Sequence, residues 1–280
     1  MKMASPSEVL PEGVVRATSV RHPSGAGLQG EDHLAQEVPV ALVFNGISHA
    51  VMMATPTDLE DFALGFGLTE GLLETPSELY GVDVQVSEQG HSLHLEVASA
   101  CEWRLKERRR TLAGRTGCGL CGTDSLDQVQ RQLAPVTAVW VQPQVVIDAM
   151  AQLRSMQTLG QLTAATHAAA WISLSGQILH IREDVGRHNA LDKLIGHLVR
   201  QGMDPKTGFV AITSRASFEM VQKTISWGAG MLAAVSAPTA MAVQVAERHN
   251  LALAGQVKSG GLVAYTHTQR FAAKPQHSTR

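Results

Sequence analysis

Thr116-Gly-Cys-Gly-Leu-Cys-Gly122 sets two thiols three positions apart on a stretch whose glycines strip away side-chain cover. A cysteine reacts as its thiolate, and neighbouring cations lower its pKa from about 8.5 by stabilising that charge. Arg108, Arg109, Arg110 and Arg115 lie immediately upstream and are suited to that task. Sulfur or redox chemistry at Cys118 and Cys121 is the natural expectation. Two other readings stay open. Half a zinc site is one, but zinc wants four ligands, and only Cys101 and scattered histidines remain, so no resident metal is expected. A thioredoxin-like pair is the other, although there the motif opens a helix after a strand, whereas here it follows a basic run.

Three further clusters carry chemistry. Arg182-Glu-Asp-Val-Gly-Arg-His-Asn-Ala-Leu-Asp-Lys193 packs seven ionisable side chains into twelve residues. Acids at a helix start are common for dipole reasons alone, so Glu183 and Asp184 taken singly would be structural. The joint density of Arg187, His188, Asp192 and Lys193 is harder to explain that way. Ser214-Arg-Ala-Ser217 offers two hydroxyls and a guanidinium where a helix start could receive phosphate oxygens. Ser236-Ala-Pro-Thr239 reads equally well as a plain helix cap with proline in the entering turn.

These clusters need elements to hold them. Residues 1–34 mix Pro, Gly, Ser and charge without a period and are expected to be an irregular arm. Val38 to Phe44 and Ile47 to Met53 flank Asn45-Gly46, a type I′ hairpin signal that opens a small α+β unit over 35–101. Thr57-x-x-Glu60 predicts a capping box, with Leu59, Phe62, Ala63 and Phe66 on one face of a helix reaching Leu73. Leu93, Leu95 and Val97 alternate as in a half-buried strand. The basic, Gly-rich run over 102–125 is expected to be the loop joining this unit to a second one over 126–280. There strands are predicted at Ile178 to Arg182, Phe209 to Thr213, Leu232 to Val235 and Leu251 to Ala254. Helices follow from the Ala190–Leu198 stripe and from Phe218 to Met231, giving a layered α/β unit. In such a layer ligands sit beyond the carboxyl ends of strands, where Glu183 and Asp184, Ser214 and Arg215, and Ser236 and Thr239 all fall.

Composition bounds the rest. At 280 residues, 44% hydrophobic and 17% charged, the chain can bury a proper core. Net charge of -2 supplies no global field toward nucleic acid or a membrane, and neither is an expected partner. Any anion site must come from local charge, such as the six basic residues against one acid between Arg104 and Arg115, or the acid-free chain after Glu247. With no apolar run of membrane-spanning length and no export signal, a cytoplasmic location is expected.

Residues Glu37-Val-Pro-Val-Ala-Leu-Val-Phe-Asn-Gly46, Gly114 to Gly122, Thr166-His-Ala-Ala-Ala170, Arg182 to Lys193, Ser214 to Lys223 and Ser236 to Thr239 together resemble the FdhD-type accessory sulfurtransferases of formate dehydrogenase, over about Glu37 to Arg270. The resemblance implies a sulfur carrier that takes persulfide sulfur from a cysteine desulfurase. It would pass that sulfur to the molybdenum bis(molybdopterin guanine dinucleotide) cofactor before the cofactor enters formate dehydrogenase. It also implies a cytidine-deaminase-like α/β fold for the C-terminal unit, without deaminase zinc chemistry, since His167-Ala-Ala169 lacks the glutamate that would act as general acid/base. Carried over by residue, the persulfide falls on Cys118 with Cys121 beside it, and a cofactor-binding segment falls on Gln256, Val257, Lys258, Ser259, Gly260 and Gly261. Ser214, Arg215, Ser217 and His167 complete the expected cofactor contacts, and a homodimer is expected. Two positions depart from the family pattern: Ala164, where Gly is usual, and Gln256, where Phe is usual. The alternative function is a chaperone that delivers the cofactor without handling sulfur.

Overall fold

The computed structural model describes residues 9–22, 27–113 and 133–273. Its first element departs from expectation. Val14–Arg21 (β1) and Leu28–Ala35 (β2) pair antiparallel from Val14 opposite Ala35 to Arg21 opposite Leu28, where an irregular arm was expected. Both faces of this ribbon are largely exposed, so no hydrophobic alternation marks it in the sequence; ladder hydrogen bonds define it instead.

Val38–Phe44 (β3) and Ile47–Ala54 (β4) form the expected hairpin, with Asn45 at φ 46° and Gly46 at φ 77°. Leu79–Ser87 (β5) and Gly90–Val97 (β6) complete a four-stranded sheet in the order β4-β3-β6-β5. Its inner face is the alternating set Val40, Leu42, Phe44, Leu93, Leu95 and Val97, covered by Phe62, Ala63 and Phe66 of the helix Leu59–Thr69 (α1). That helix ends four residues earlier than expected and has no capping box. Asp58 is its N-cap, in the left-handed region with no side-chain bond, and the Thr57 hydroxyl accepts from Lys193 Nζ at 3.4 Å instead. The basic run is not wholly loop either, because Ser99–Ala113 is helical (α2). Cys101 and Leu105, four apart, lie in the core, and Arg104 donates to the Leu72 carbonyl and pairs with Glu78 at 2.6 Å.

The second unit is a six-stranded mixed sheet in the order β12-β11-β10-β9-β7-β8. Its strands are His167–Ser173 (β7), Ile178–Asp184 (β8), Gly208–Ile212 (β9), Met231–Ala234 (β10), Ala252–Lys258 (β11) and Gly261–Thr266 (β12). Pro143–Leu153 (α3) covers one face. Arg187–Arg200 (α5), Phe218–Trp227 (α6) and Ala240–Arg248 (α7) cover the other. The short helix Thr158–Thr163 (α4) leads into β7. Helix α6 stops short of the expected Met231 because Gly228, at φ 97°, caps it, and Met231 begins β10. Strand β11 runs past the expected Ala254 to Lys258.

Ala164 caps α4 at φ 53°, a left-handed conformation that a Cβ disfavours. A glycine, which the resemblance implies for that position, would carry no such penalty. Ala164→Gly is expected to raise stability by about 1 kcal/mol in denaturant unfolding, without a change in slope.

The two units meet along α1 and α5. A Cβ on Gly65 would sit 1.8 Å from the Asp192 carbonyl oxygen, and one on Gly196 1.9 Å from that of Asp61, so both helices approach backbone to backbone. Ion pairs flank the crossing. Lys193 Nζ lies 2.7 Å from Asp184 Oδ2, both side chains fully buried, and donates to the Thr55 carbonyl. Asp184 also accepts the Thr55 backbone N–H. Lys223 Nζ meets Asp192 at 3.0 Å and Glu70 at 2.7 Å. Burial alone would pull this ammonium down, but the two carboxylates outweigh it and hold the pKa above the ordinary lysine value.

On the other flank Arg182 Nη2 donates to His197 Nδ1 at 2.6 Å and bonds Asp61 Oδ2 at 2.9 Å. Taking the ring as neutral leaves Nε2 as donor to His180 Nδ1 at 3.1 Å. Burial first, and Arg182 second, hold both imidazoles below the usual histidine value of 6.5. A depressed folded pKa means the unfolded chain binds more protons between the two values, so stability rises with pH there. The contribution is complete above pH about 6.5 and shrinks below it. The melting temperature is expected to fall between pH 7.5 and 5.5, and to fall less in a His180→Gln/His197→Gln variant.

Candidate functional site

Strands β8, β9, β10 and β11 run parallel to one another, and β7 runs against them. The carboxyl ends of those four and the start of β7 therefore share one rim. Backbone bonds tie its positions laterally: Ser236 N–H donates to the Ser214 carbonyl, and Gln256 N–H to the Ser236 carbonyl. Ser214, Ser236 and Gln256 thus stand side by side on adjacent strand ends, though they are separated widely in sequence. His167 begins β7, and Thr213, at the end of β9, bonds Ala168 in both directions.

Each rim position has a local cause. Arg215 follows β9 and is exposed; Ser214 beside it is buried and donates to the Arg215 carbonyl at 3.1 Å. Ser217 is the N-cap of α6, but its hydroxyl bonds Glu219 Oε2 at 3.3 Å and not the helix backbone. Glu219 also holds His188 Nε2 at 2.9 Å, and that bond is the first cause of its lowered pKa. Thr239 behaves as the plain cap reading expected, accepting the Ala242 N–H at 3.3 Å. Its own N–H donates to the Ala216 carbonyl, so this cap also braces the turn after β9.

Gln256, Val257, Lys258, Ser259, Gly260 and Gly261 form the β11–β12 hairpin beyond that rim. Lys258, Ser259 and Gly260 are exposed, whereas Val257 packs into the core. Gln256 sits at φ 53°, exposed, and donates to Tyr265 Oη at 2.7 Å. Gly255 before it is a position that sequence reasoning missed. A Cβ there would lie 2.8 Å from Pro238 Cδ and 3.0 Å from the Ser236 oxygen, so only glycine lets the hairpin lie against the β10 turn. Its signal was one glycine among the chain's 25, which is too common to single it out.

The cluster from Arg182 to Lys193 divides. Glu183 accepts the Leu159 and Gly160 N–H groups at 3.0 and 2.8 Å and the Thr166 hydroxyl, so it caps α4 from a distance. Asp184, Asp192 and Lys193 are buried in the seam between units. None of these four faces the rim solvent, a correction to the expectation that Glu183 and Asp184 would help line it. Arg187 and His188 do remain at the rim. His167, half-buried, is pushed below the usual imidazole range by burial first and by Arg187 second.

Cys118 and Cys121 lie outside the described residues. Cys101, the third cysteine, is fully buried among Leu42, Leu93 and Leu105 in the first unit. A cleft of about 390 Å³ lined by Glu60, Leu64, Tyr80, Val199 and Arg200 opens at the far end of α5. At 1.5 Å per residue it stands about 20 Å along the helix from the rim. No described helix is long and apolar enough to cross a membrane.

The model of the FdhD/NarQ family matches residues 35–272. The chain is 57% identical over 241 residues to the sulfur carrier protein FdhD of Cupriavidus necator, covering 86% of this chain and 84% of the other. It is 54% identical over 261 residues to that of Bordetella bronchiseptica, covering 92% and 95%. To that of Variovorax paradoxus it is 53% identical over 273 residues, covering 97% and 96%. In fold it matches a crystal structure described as that of a formate dehydrogenase accessory protein from Desulfotalea psychrophila, with a TM-score of 0.72 at 20% identity, over 92% of this chain and 99% of that one. The two-part α/β architecture with mixed sheets is therefore shared.

Proposed function

This chain belongs to the FdhD/NarQ family, and from that premise we propose that it is a sulfur carrier acting in maturation of the molybdenum cofactor of formate dehydrogenase. It is a sulfurtransferase. Cys118 thiolate attacks the outer sulfur of a persulfide on a cysteine desulfurase. The sulfur–sulfur bond there breaks, the donor leaves as thiolate, and Cys118 becomes the persulfide. The cargo cofactor, a molybdenum bis-guanine-dinucleotide, rests on the rim, with phosphate oxygens on Arg215, Ser217 and Lys258 and a guanine arm along Gln256 to Gly261. Rim groups orient the cargo so that the reacting sulfur needs no diffusive search. Cys121 either helps release the sulfur or tunes the Cys118 thiolate. The C-terminal unit is read as a cytidine-deaminase-like layer that has kept the rim and lost the zinc chemistry, and the protein works in the cytoplasm.

One observation carries the reading. Identity above 50% with proteins named sulfur carriers extends over 84% or more of both chains, and this chain has the paired thiols that such chemistry needs. Mass spectrometry after incubation with a cysteine desulfurase and cysteine tests it: one added sulfur atom on the peptide containing Cys118 is expected. An unmodified Cys118 beside an active desulfurase leaves only cofactor delivery without sulfur transfer.

The rim also predicts a binding difference. A planar guanidinium holds phosphate through two parallel hydrogen bonds, whereas an ammonium is a point charge on a flexible stem. Arg215→Ala is expected to weaken GDP binding by about one to two decades in titration calorimetry, Lys258→Ala by less, and added salt should weaken the wild type. Equal affinity in wild type and Arg215→Ala removes Arg215 from the site.

A further inference from the structure

Only Val185 and Gly186 separate the end of β8 from Arg187, the first residue of α5. The Gly186 N–H is answered within the turn, by Asp184 Oδ1 at 2.7 Å. The Val185 N–H is answered from the other unit, by Thr55 Oγ1 at 3.2 Å, across 130 positions of sequence. Thr55 commits its backbone groups to the same place. Its N–H donates to Asp184 Oδ2 at 3.0 Å, and its carbonyl accepts from Lys193 Nζ at 2.9 Å. Asn189, in the first turn of α5, adds a bond to the Met53 carbonyl at 2.8 Å and one to Asp184 Oδ1 at 3.0 Å. Thr55, Asp184 and Lys193 are wholly buried. The end of β4 in the first unit therefore grips the turn from which the rim side chains of α5 project.

We propose that Thr55 is a positioning residue for sulfur transfer: it touches no cargo, and through Val185 and Asp184 it fixes where α5 begins. A buried ion pair such as Lys193–Asp184 contributes little net stability compared with apolar packing. What a fully satisfied polar group of this kind does supply is a single orientation. That orientation is passed on. His188, two residues beyond the turn, bonds Glu219 Oε2 at 2.9 Å, the same oxygen that Ser217 at the start of α6 bonds at 3.3 Å. The turn thus sets the starts of two helices at the rim, and a misplacement of about 1 Å in such a site can cost up to about a hundredfold in rate. The hydroxyl of Thr55 is the part that matters. Valine has the same shape without the oxygen and would leave the Val185 N–H unanswered, whereas serine keeps the acceptor. In one respect the inference rests on the proposed function, because the rim is taken as the place where the cargo lies.

The test compares the full chain as wild type, Thr55→Val, Thr55→Ser and Thr266→Val. Thr266 is the control for stability alone. It is equally buried, its hydroxyl likewise accepts a backbone N–H, that of Leu253 at 2.9 Å, and it stands five residues along β12 from the rim hairpin. Both valine variants should lower the melting temperature. Only Thr55→Val should shift the amide resonances of Val185 to His188, weaken GDP by about tenfold in calorimetry, and slow transfer from the Cys118 persulfide to the cofactor by about as much. Thr55→Ser should recover all three. Loading of Cys118 by the desulfurase should be equal in every variant, since that step does not use the rim. A Thr55→Val protein that matches Thr266→Val in GDP affinity and transfer rate overturns the proposal, as does a Thr55→Ser protein no better than Thr55→Val. Should Thr55→Val not fold, Asn189→Ala, which cuts the Met53 tie to the same turn, carries the same expectation, and wild-type GDP affinity in it overturns the proposal. The two readings fail separately: a wild type that takes no sulfur ends the carrier assignment, while the amide resonances and GDP affinities still decide the role of Thr55.

Discussion

Cys118→Ala is expected to lower sulfur transfer to the cofactor by at least about a hundredfold while leaving the melting temperature unchanged. The magnitude follows from the role. A carrier without its nucleophile has no covalent intermediate, and what survives is only the background reaction between donor and cargo. The absence of a stability effect follows from composition, because three of the six residues from Gly117 to Gly122 are glycines with no side chain. Cys121→Ala should be milder or equal. Cys101→Ala is the informative control, since its sulfur is fully buried in the core of the first unit. It should cost stability by about 1 kcal/mol and leave transfer intact. Maturation of formate dehydrogenase in a strain lacking the native chain reads the same ordering. Full activity from the Cys118 variant there would end the carrier assignment.

Gly65→Ala should destabilise the fold by about 3 kcal/mol or more. Overpacking ordinarily costs about 1 to 3 kcal/mol, because neighbouring side chains can shift. Here the obstacle is the Asp192 carbonyl oxygen at 1.8 Å, part of a helix backbone, so relief requires α1 and α5 to separate. Separation would also loosen the Asp192–Lys223 and Lys193–Asp184 contacts beside the crossing, and breaking a buried pair adds several kcal/mol of its own. Gly196→Ala, facing the Asp61 oxygen at 1.9 Å, should behave alike. Gly30→Ala is the comparison: nothing lies within 4 Å of its added methyl and its φ is not positive, so its effect should stay within about 0.5 kcal/mol. Denaturant unfolding of the three variants settles the matter. A Gly65→Ala protein as stable as wild type would mean that the helices do not cross this closely.

Much of the architecture was legible because it rests on local rules. Asn45-Gly46 specified a hairpin, since both residues accept positive φ, and the alternation of Leu93, Leu95 and Val97 specified a strand with one face inward. The α5 stripe read correctly for the same reason. What failed locally also has causes. The capping box at Thr57 was a pattern match whose hydroxyl a lysine 136 positions away had claimed. The β1–β2 ribbon was invisible because a two-sided exposed ladder leaves no hydrophobic period to read.

The sequence alone determined the chemistry on offer: two thiols three apart beside arginines, a guanidinium between serines at Arg215, and a dense block from Arg182 to Lys193. Those are covalent properties of the chain, and a resemblance across most of its length was carried by them. Only the tertiary structure decided what that block is for. Seven ionisable groups in twelve residues read alike on paper, yet pairing partners more than a hundred positions away, Thr55 for Asp184 and Lys193, Thr69 for Asp192, draw three of them into the seam between units. Arg187 and His188 are left at the rim, one with a buried donor unanswered. Burial turns a charge into glue when a partner is waiting, and the partner is supplied by contacts that no local pattern encodes.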